Sequence, residues 1–383
     1  AIMHWPSVNT ITFYEGDAPV SWLYDRVSAL LEASPWLAGR LQGDLDNARL
    51  WVPSSPDAAP CFAQLSVPGL KRNQSVEDMQ RAIRRAVVKR GVQCINRNES
   101  LFRVVVVHTQ PGCFAVVVSL SHVLGDGHTY YKVYSALGES GLGIPDLLTL
   151  ARGASDGLDP RRKPGFQTAS AMALGPAKLE WSGSLPAQLG GLCSSLKPRH
   201  RWSVWEVNTA WVKAQKGRHA ASGPSGVPWV STNDVLTSWF LRCGRFDYGF
   251  MPINFRQKLP GLTDMDAGNY EGGIQFWPDE FETPEGIRRS LSSPPRYRAG
   301  RADTPGLLTS LKGNFGVVTN WASLQQEACL PGCRQLLHLP VISSVSVDGA
   351  MVVFEPVPGV TAVAIGARWG DFTGEPALGH RLC

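Results

Sequence analysis

One segment restricts this chain more than any other. It is the apolar, valine-rich run Phe114 to Leu120, which ends directly in Ser121-His122-Val123-Leu124-Gly125-Asp126-Gly127. A short run rich in β-branched side chains suits a buried strand better than a helix. At its end Gly125 and Gly127 let the backbone turn sharply without a Cβ clash. A histidine fixed at a strand terminus can accept a proton near neutral pH. The HxxxDG pattern therefore marks His122 as a candidate general base. A histidine beside a strand is also commonly a hydrogen-bonded structural residue, and three fixed letters alone do not decide between the two.

The remainder reads as mixed α/β. In the first half, strand patterns over Thr10 to Tyr14, Leu101 to His108 and Phe114 to Leu120 alternate with helical patterns over Ser21 to Ala33, Ser75 to Arg90 and His128 to Leu137. The second of these helices opens on Ser75-Val76-Glu77-Asp78, the form of a capping box, and carries Val76, Met79, Ile83 and Val87 at helical spacing. Its arginines read as a solvated face. From about Ala151 to Pro228 the composition shifts to Gly, Pro, Ser and Arg, which predicts a long, partly ordered crossover with one strand around Trp202 to Val207. The second half predicts a helix from Thr232 and strands over Tyr248 to Asn254, Val341 to Val347, Ala350 to Phe354 and Val360 to Ile365. The expected division is an N-terminal domain (1–150), a crossover (151–228) and a C-terminal domain (229–383).

Composition removes several classes of function. A chain of 383 residues can bury a large core. Its net charge of +5 is too small and too dispersed to imply nucleic acid, and it suits an anionic co-substrate. No stretch approaches ~18 uninterrupted apolar residues, so no transmembrane helix is expected. The first residues lack the basic start and apolar block of a signal peptide, although a chain that begins with alanine can have been trimmed; the scattered cysteines are what suit a reducing, cytoplasmic compartment. Eight cysteines are scattered without the density of a disulfide scaffold. Cys329 and Cys333 form a CxxxC, yet with no second pair and only His338 nearby they cannot close a tetrahedral site, so no metal is expected.

Several separated segments resemble, in order, the BAHD acyltransferases and the wider superfamily of chloramphenicol acetyltransferases and peptide-synthetase condensation domains. Ser21 to Leu41 is similar to the family's first helix and its "PLAGRL" turn, here Pro35-Trp36-Leu37-Ala38-Gly39-Arg40-Leu41. HxxxDG follows. Ser231 to Trp239 resembles the helix start after the crossover, Ile253-Asn254-Phe255-Arg256 the "VDGR" element, Gly268-Asn269-Tyr270 the "GN" element, and Thr319-Asn320-Trp321 the late "SW" element. The family's DFGWG motif is absent from Pro331 to Val341, and Ser121 stands where condensation domains carry the first of two histidines.

The resemblance implies two similar chloramphenicol acetyltransferase-like α/β domains with an active-site channel at their interface, in a monomer. It also implies transfer of an acyl group from acyl-CoA, a co-substrate and not a resident cofactor, to the hydroxyl (less readily the amine) of a small molecule. His122 would be the base. Asp126 could orient the imidazole as in a hydrolase triad, but the resemblance has it pointing away and paired with Arg256. Trp321, whose indole N–H can only donate, would stabilise the oxyanion, with Thr319 as the neighbouring alternative; Trp321 is otherwise a core aromatic. Ser231, Thr232 and Asn233 open a helix whose N–H groups and dipole favour anions such as the phosphates of coenzyme A, or else form an ordinary N-cap. Asn269 would support the loop beside the site.

Three rival readings remain at this level. Gly153-Ala154-Ser155-Asp156-Gly157 satisfies the hydrolase pattern GxSxG, but opens the crossover without the strand and helix a nucleophile elbow needs. The others are a non-catalytic binding protein of the same fold and a condensation-like enzyme taking its donor from a carrier protein.

Overall fold

The computed structural model describes residues 2–45, 47–139, 151–152, 200–221, 226–258, 261–292, 313–342, 347–368 and 372–383. Two sheets dominate them. The first has five strands in the order Arg334–Pro340, Val8–Glu15, Cys113–Leu120, Phe102–Gln110 and Phe62–Ser66, all antiparallel except the last pair. The second has seven, in the order Glu271–Phe276, Tyr248–Asn254, Phe315–Asn320, Gly349–Phe354, Ala362–Ala367, Arg201–Val207 and Leu378–Arg381.

The valine runs explain the layering. In Phe102–Gln110, Phe102, Val104 and Val106 enter a core shared with the helices Val20–Ala33 and Gly127–Ser135. Val105 and Val107 point the other way, into a core that also holds Val352, Phe354, Ala362 and Ala364 of the second sheet. Successive side chains alternate across a strand, so a strand covered on both faces must be apolar at nearly every position. The second sheet buries its outer face against the helix Thr232–Cys243 through Val235, Leu236, Trp239 and Phe240.

The second half of the sequence also lends a strand to the first sheet. Arg334–Pro340 joins the first sheet as the neighbour of Val8–Glu15, pairing Ile11 with Leu339 and Thr12 with His338. Arg201–Val207, placed by sequence inside the crossover, is an inner strand of the second sheet. The helix Thr209–Ala221 that follows was not expected, because only Val212 on it is buried and its apolar periodicity is weak; Asn208, whose Oδ1 accepts from the Trp211 N–H, is the local signal for its start.

Two other expectations change. The helix from Ser75 spans only Val76–Ile83. Ser75 caps it by accepting from the Asp78 N–H, but beyond Ile83 the chain is drawn to the sheet, where the Val88 N–H donates to Ser119 Oγ. Of the strand expected over Val341 to Val347, Val341 and Ile342 stand outside any strand, and an unexpected strand runs over Arg334–Pro340. There Leu337 and Leu339 fill the core between the sheets and set the register; residues 343–346 lie outside the described residues. The GxSxG segment, 153–157, lies outside them too. Among the described residues no helix is long and apolar enough to cross a membrane.

Ile11 is fully buried between the sheets. Ile11→Ala is expected to destabilise the protein by about 2–5 kcal/mol through lost burial and an unfilled cavity, measured as a lowered urea midpoint with an unchanged m-value.

Candidate active site

Strand Cys113–Leu120 delivers the HxxxDG loop to the junction of the two halves. The Ser121 N–H donates to the Leu101 carbonyl at 2.7 Å, and a turn closes when the Leu124 N–H reaches the Ser121 carbonyl at 2.8 Å. At Gly125 an added Cβ would sit 2.6 Å from Thr129, so the close return of the chain requires glycine. Asp126 then caps the helix Gly127–Ser135, its Oδ1 accepting from the Thr129 N–H at 3.0 Å.

The other carboxylate oxygen binds the second half. Arg256 Nη1 donates to Asp126 Oδ2 at 2.8 Å, and the Tyr270 N–H donates to the same oxygen at 2.9 Å. Arg256 is itself saturated: Nε donates to the Asp266 carbonyl, Nη2 to the Gly268 carbonyl and to Thr129 Oγ1, and Nη1 also to Asn254 Oδ1. The side chains of Arg256 and Asp126 are 0% and 2% exposed. Burial alone would raise the Asp126 carboxyl, but the guanidinium and the hydrogen bonds from Thr129 and Tyr270 outweigh it and hold it below the usual carboxylate range.

Among the described residues, the hydrogen bonds of His122 go to Asn269 and not to this pair. Its Nδ1 lies 3.3 Å from Asn269 Oδ1, while Asn269 Nδ2 donates to the His122 carbonyl at 2.6 Å. The amide thus grips both ends of the residue, and an Nδ1–H donated to Asn269 leaves Nε2 with its lone pair free. Desolvation holds the imidazole below its ordinary value, against the Asn269 hydrogen bond and the Asp126 charge, so it is a neutral base at pH 7. The Trp5 ring meets the imidazole edge-on at 5.3 Å.

Trp321 follows the strand Phe315–Asn320, anchored by its N–H to the Val353 carbonyl. Its indole Nε1 would lie 3.8 Å from a Cβ placed on Gly127, which puts it at the first turn of the helix after HxxxDG. Tyr131 packs edge-on against it at 6.1 Å, and the Tyr131 hydroxyl is 3.1 Å from His338 Nε2. His338 Nδ1 is 2.8 Å from Thr12 Oγ1, and desolvation pushes this buried histidine down to about 3, so it orders the network as a neutral group. Thr319 is half-buried and registered against Val352, on the strand face opposite Val318.

Ser231, Thr232 and Asn233 stand elsewhere on the second half, at the start of helix Thr232–Cys243. Ser231 Oγ accepts from the Asp234 N–H, and the Asp234 carboxylate accepts from the Ser231 N–H and pairs with Arg288 at 2.6 Å. Thr232 Oγ1 accepts from Lys216 Nζ at 2.9 Å, and Asn233 keeps a buried Oδ1 with no hydrogen-bond partner. Among the described residues no group of three or more His, Cys, Asp or Glu side chains is placed to hold a metal.

Glu271 was not read from the sequence. It lies two residues beyond Asn269, opens strand Glu271–Phe276 and faces Asn254 across the pair. Desolvation first, then the Asp126 charge, pushes its carboxyl up to about 8, with Arg256 opposing. The signal in the sequence was its spacing of two from Asn269, which in extended chain puts both side chains on one face.

No protein-family description and no curated protein matches the chain. Solved structures do. F. sporotrichioides TRI101, complexed with coenzyme A and T-2, superimposes with a TM-score of 0.60 at 14% identity, over 96% of this chain and 92% of that one. The first condensation domain of the calcium-dependent antibiotic synthetase, complexed with a substrate analogue, gives 0.55 at 13% identity over 95% and 86%. Polyketide synthase associated protein 5 from Mycobacterium tuberculosis gives 0.56 at 15% identity over 95% and 89%. The chain has the chloramphenicol acetyltransferase-like fold.

Two outcomes follow from the site. Arg256→Ala strands the Asp126 charge in the interior and is expected to cost about 3–5 kcal/mol in urea unfolding. Glu271 binds a proton in the folded state up to pH of about 8, whereas an ordinary glutamate releases it near 4.5. Its contribution to stability is therefore present below the lower value and lost as pH rises through the upper one. Wild type should lose thermal stability relative to Glu271→Gln between about pH 5 and 8; parallel curves would show that the carboxyl is not held protonated.

Proposed function

We propose that the protein is an acyl-CoA-dependent acyltransferase that esterifies a small-molecule hydroxyl, with His122 as general base. The observation that carries the reading is the gripped imidazole: Asn269 occupies Nδ1 and the His122 carbonyl, leaving Nε2 as an oriented, neutral acceptor at the junction of the two halves. A thioester needs little activation, whereas an alcohol at neutral pH must lose a proton as it attacks.

In this reading the acceptor hydroxyl gives its proton to His122 Nε2 as its oxygen attacks the thioester carbonyl. The charge on the carbonyl oxygen is met by the Trp321 indole N–H, with Thr319 as the alternative donor. One such preorganised donor is worth about 3 kcal/mol of barrier. Collapse of the tetrahedral species breaks the carbon–sulfur bond, and the imidazolium returns the proton to the departing thiolate. Asp126 does no proton transfer; its charge is committed to Arg256. In this reading Ser231, Thr232 and Asn233 would receive the phosphates of coenzyme A at a helix start, and Lys216 beside Thr232 would add a cation suited to a phosphate. TRI101, solved with coenzyme A and T-2 bound, supports the donor and acceptor classes. The condensation domain supports a second reading, in which a carrier protein presents the thioester.

Thermal unfolding with millimolar coenzyme A tests the donor. At ~100 times its dissociation constant a ligand stabilises the folded state by about 2.7 kcal/mol. An upward shift in both wild type and His122→Ala, with turnover of acetyl-CoA and alcohols lost only in the variant, is the expected result. The acid limb of kcat/KM should fall below the ordinary histidine range, because desolvation lowers His122. No shift with coenzyme A would remove this reading in favour of a carrier-bound donor or a non-catalytic binding protein.

A further inference from the structure

We propose that Trp5 forms the acceptor-side wall of the His122 site and selects neutral, ring-bearing alcohols over polyols, a specificity that rests on the acyl-transfer reading above.

The indole touches the base directly. Its ring stands at 87° to the imidazole with centroids 5.3 Å apart, yet Trp5 remains 39% exposed, so part of the ring contacts His122 while the rest offers free aromatic surface beside it. Local packing holds it there. Gly91 opens the helix Gly91–Cys94, and a Cβ at that position would sit 2.4 Å from Val123 and 3.3 Å from Met3 Sδ. Only a glycine lets Met3 settle against the residue that follows His122. One residue after Pro6, Ser7 Oγ donates to the Val88 carbonyl at 3.4 Å. The segment carrying Trp5 is therefore held on both sides, by Met3 next to Gly91 and Val123 and by Ser7 on Val88.

The carboxylates nearest His122 among the described residues carry no free charge. Asp126 is neutralised by Arg256, Glu271 holds its proton at neutral pH, and the hydrogen bonds of His122 among the described residues go to Asn269. Among the described residues, the glycines at and beside the loop are packed against Val123, Met3, Thr129, Leu324 and Trp321. A largely apolar surround with one polar group aimed at the reacting atom favours a neutral acceptor with a hydrocarbon ring, and an aromatic edge and face add stacking geometry.

Trp5→Ala and Trp5→Phe test this without knowledge of the natural acceptor. Carbethoxylation by diethyl pyrocarbonate at pH 7, mapped by peptide mass, should be at least threefold faster at His122 in Trp5→Ala than in wild type, and near wild type in Trp5→Phe. The exposed His380 serves as the internal reference. In the absence of any thioester, 2-naphthalenemethanol followed by ligand-observed NMR should bind wild type at least tenfold more tightly than Trp5→Ala, with no binding of glycerol. With acetyl-CoA present, the loss in Trp5→Ala should appear in KM. Unchanged His122 reactivity together with equal affinity for 2-naphthalenemethanol, or no binding of that alcohol to wild type, overturns the proposal even where coenzyme A stabilises the protein. If the reactivity and binding differences hold but coenzyme A gives no shift, the wall stands and the coenzyme A donor falls.

Discussion

Asp126 and Arg256 are 130 residues apart in sequence and meet at 2.8 Å with almost no contact with water. Desolvating such ions costs several kcal/mol each, and their attraction repays it only when every remaining donor and acceptor is also satisfied. That condition is met. The carboxylate receives the N–H groups of Thr129 and Tyr270 besides the guanidinium, and Arg256 spends its other protons on Asp266, Gly268, Thr129 and Asn254. The pair therefore sets registry more than it adds net stability. It allows one alignment of the HxxxDG turn with the Gly268-Asn269-Tyr270 loop, and any other leaves a buried charge bare.

Catalytic geometry depends on that alignment. Asn269 can hold His122 only because the neighbouring Gly268 carbonyl and Tyr270 N–H are fastened to Arg256 and Asp126. Gly268 has φ +146°, a conformation that side chains rarely adopt, and its carbonyl also accepts from the Asp126 N–H at 3.1 Å. The exchanged strand Arg334–Pro340 works toward the same end from the other side. It brings His338 under Tyr131, and Tyr131 packs against Trp321. Two chain segments distant in sequence thus fix His122 and Trp321 separately, the first through Asn269 and the second through Tyr131.

Legibility in the sequence followed how local the determining force was. The strand before His122 and the helix Val20–Ala33 show in the sequence because periodicity and β-branching act over neighbouring residues. So does the capping of the helix at Ser231, where side chain and backbone bond across three positions. The helix Thr209–Ala221 did not show, because it buries little and its N-cap Asn208 stands in a stretch dominated by breakers. The strand Arg334–Pro340 did not show in the sequence because Leu-Leu-His-Leu becomes an alternating pattern only when His338 finds Thr12 and Tyr131 to bury it. Glu271 was missed for the same kind of reason. A glutamate in an open sequence is a surface charge until Asp126 and the surrounding burial raise its carboxyl.

What the sequence determined by itself was the set of parts: a mixed α/β chain, a histidine at a strand end between glycines, and an aspartate and an arginine in motifs that resemble one superfamily. Each follows from short-range stereochemistry or from motif order. Tertiary structure decided how the parts meet. It chose the tautomer available to His122 by placing Asn269 against it, silenced Asp126 with Arg256, protonated Glu271, and set Trp5 and Trp321 beside the same loop. Those outcomes depend on burial and on long-range pairing, which change the charge and reach of a side chain without changing its identity.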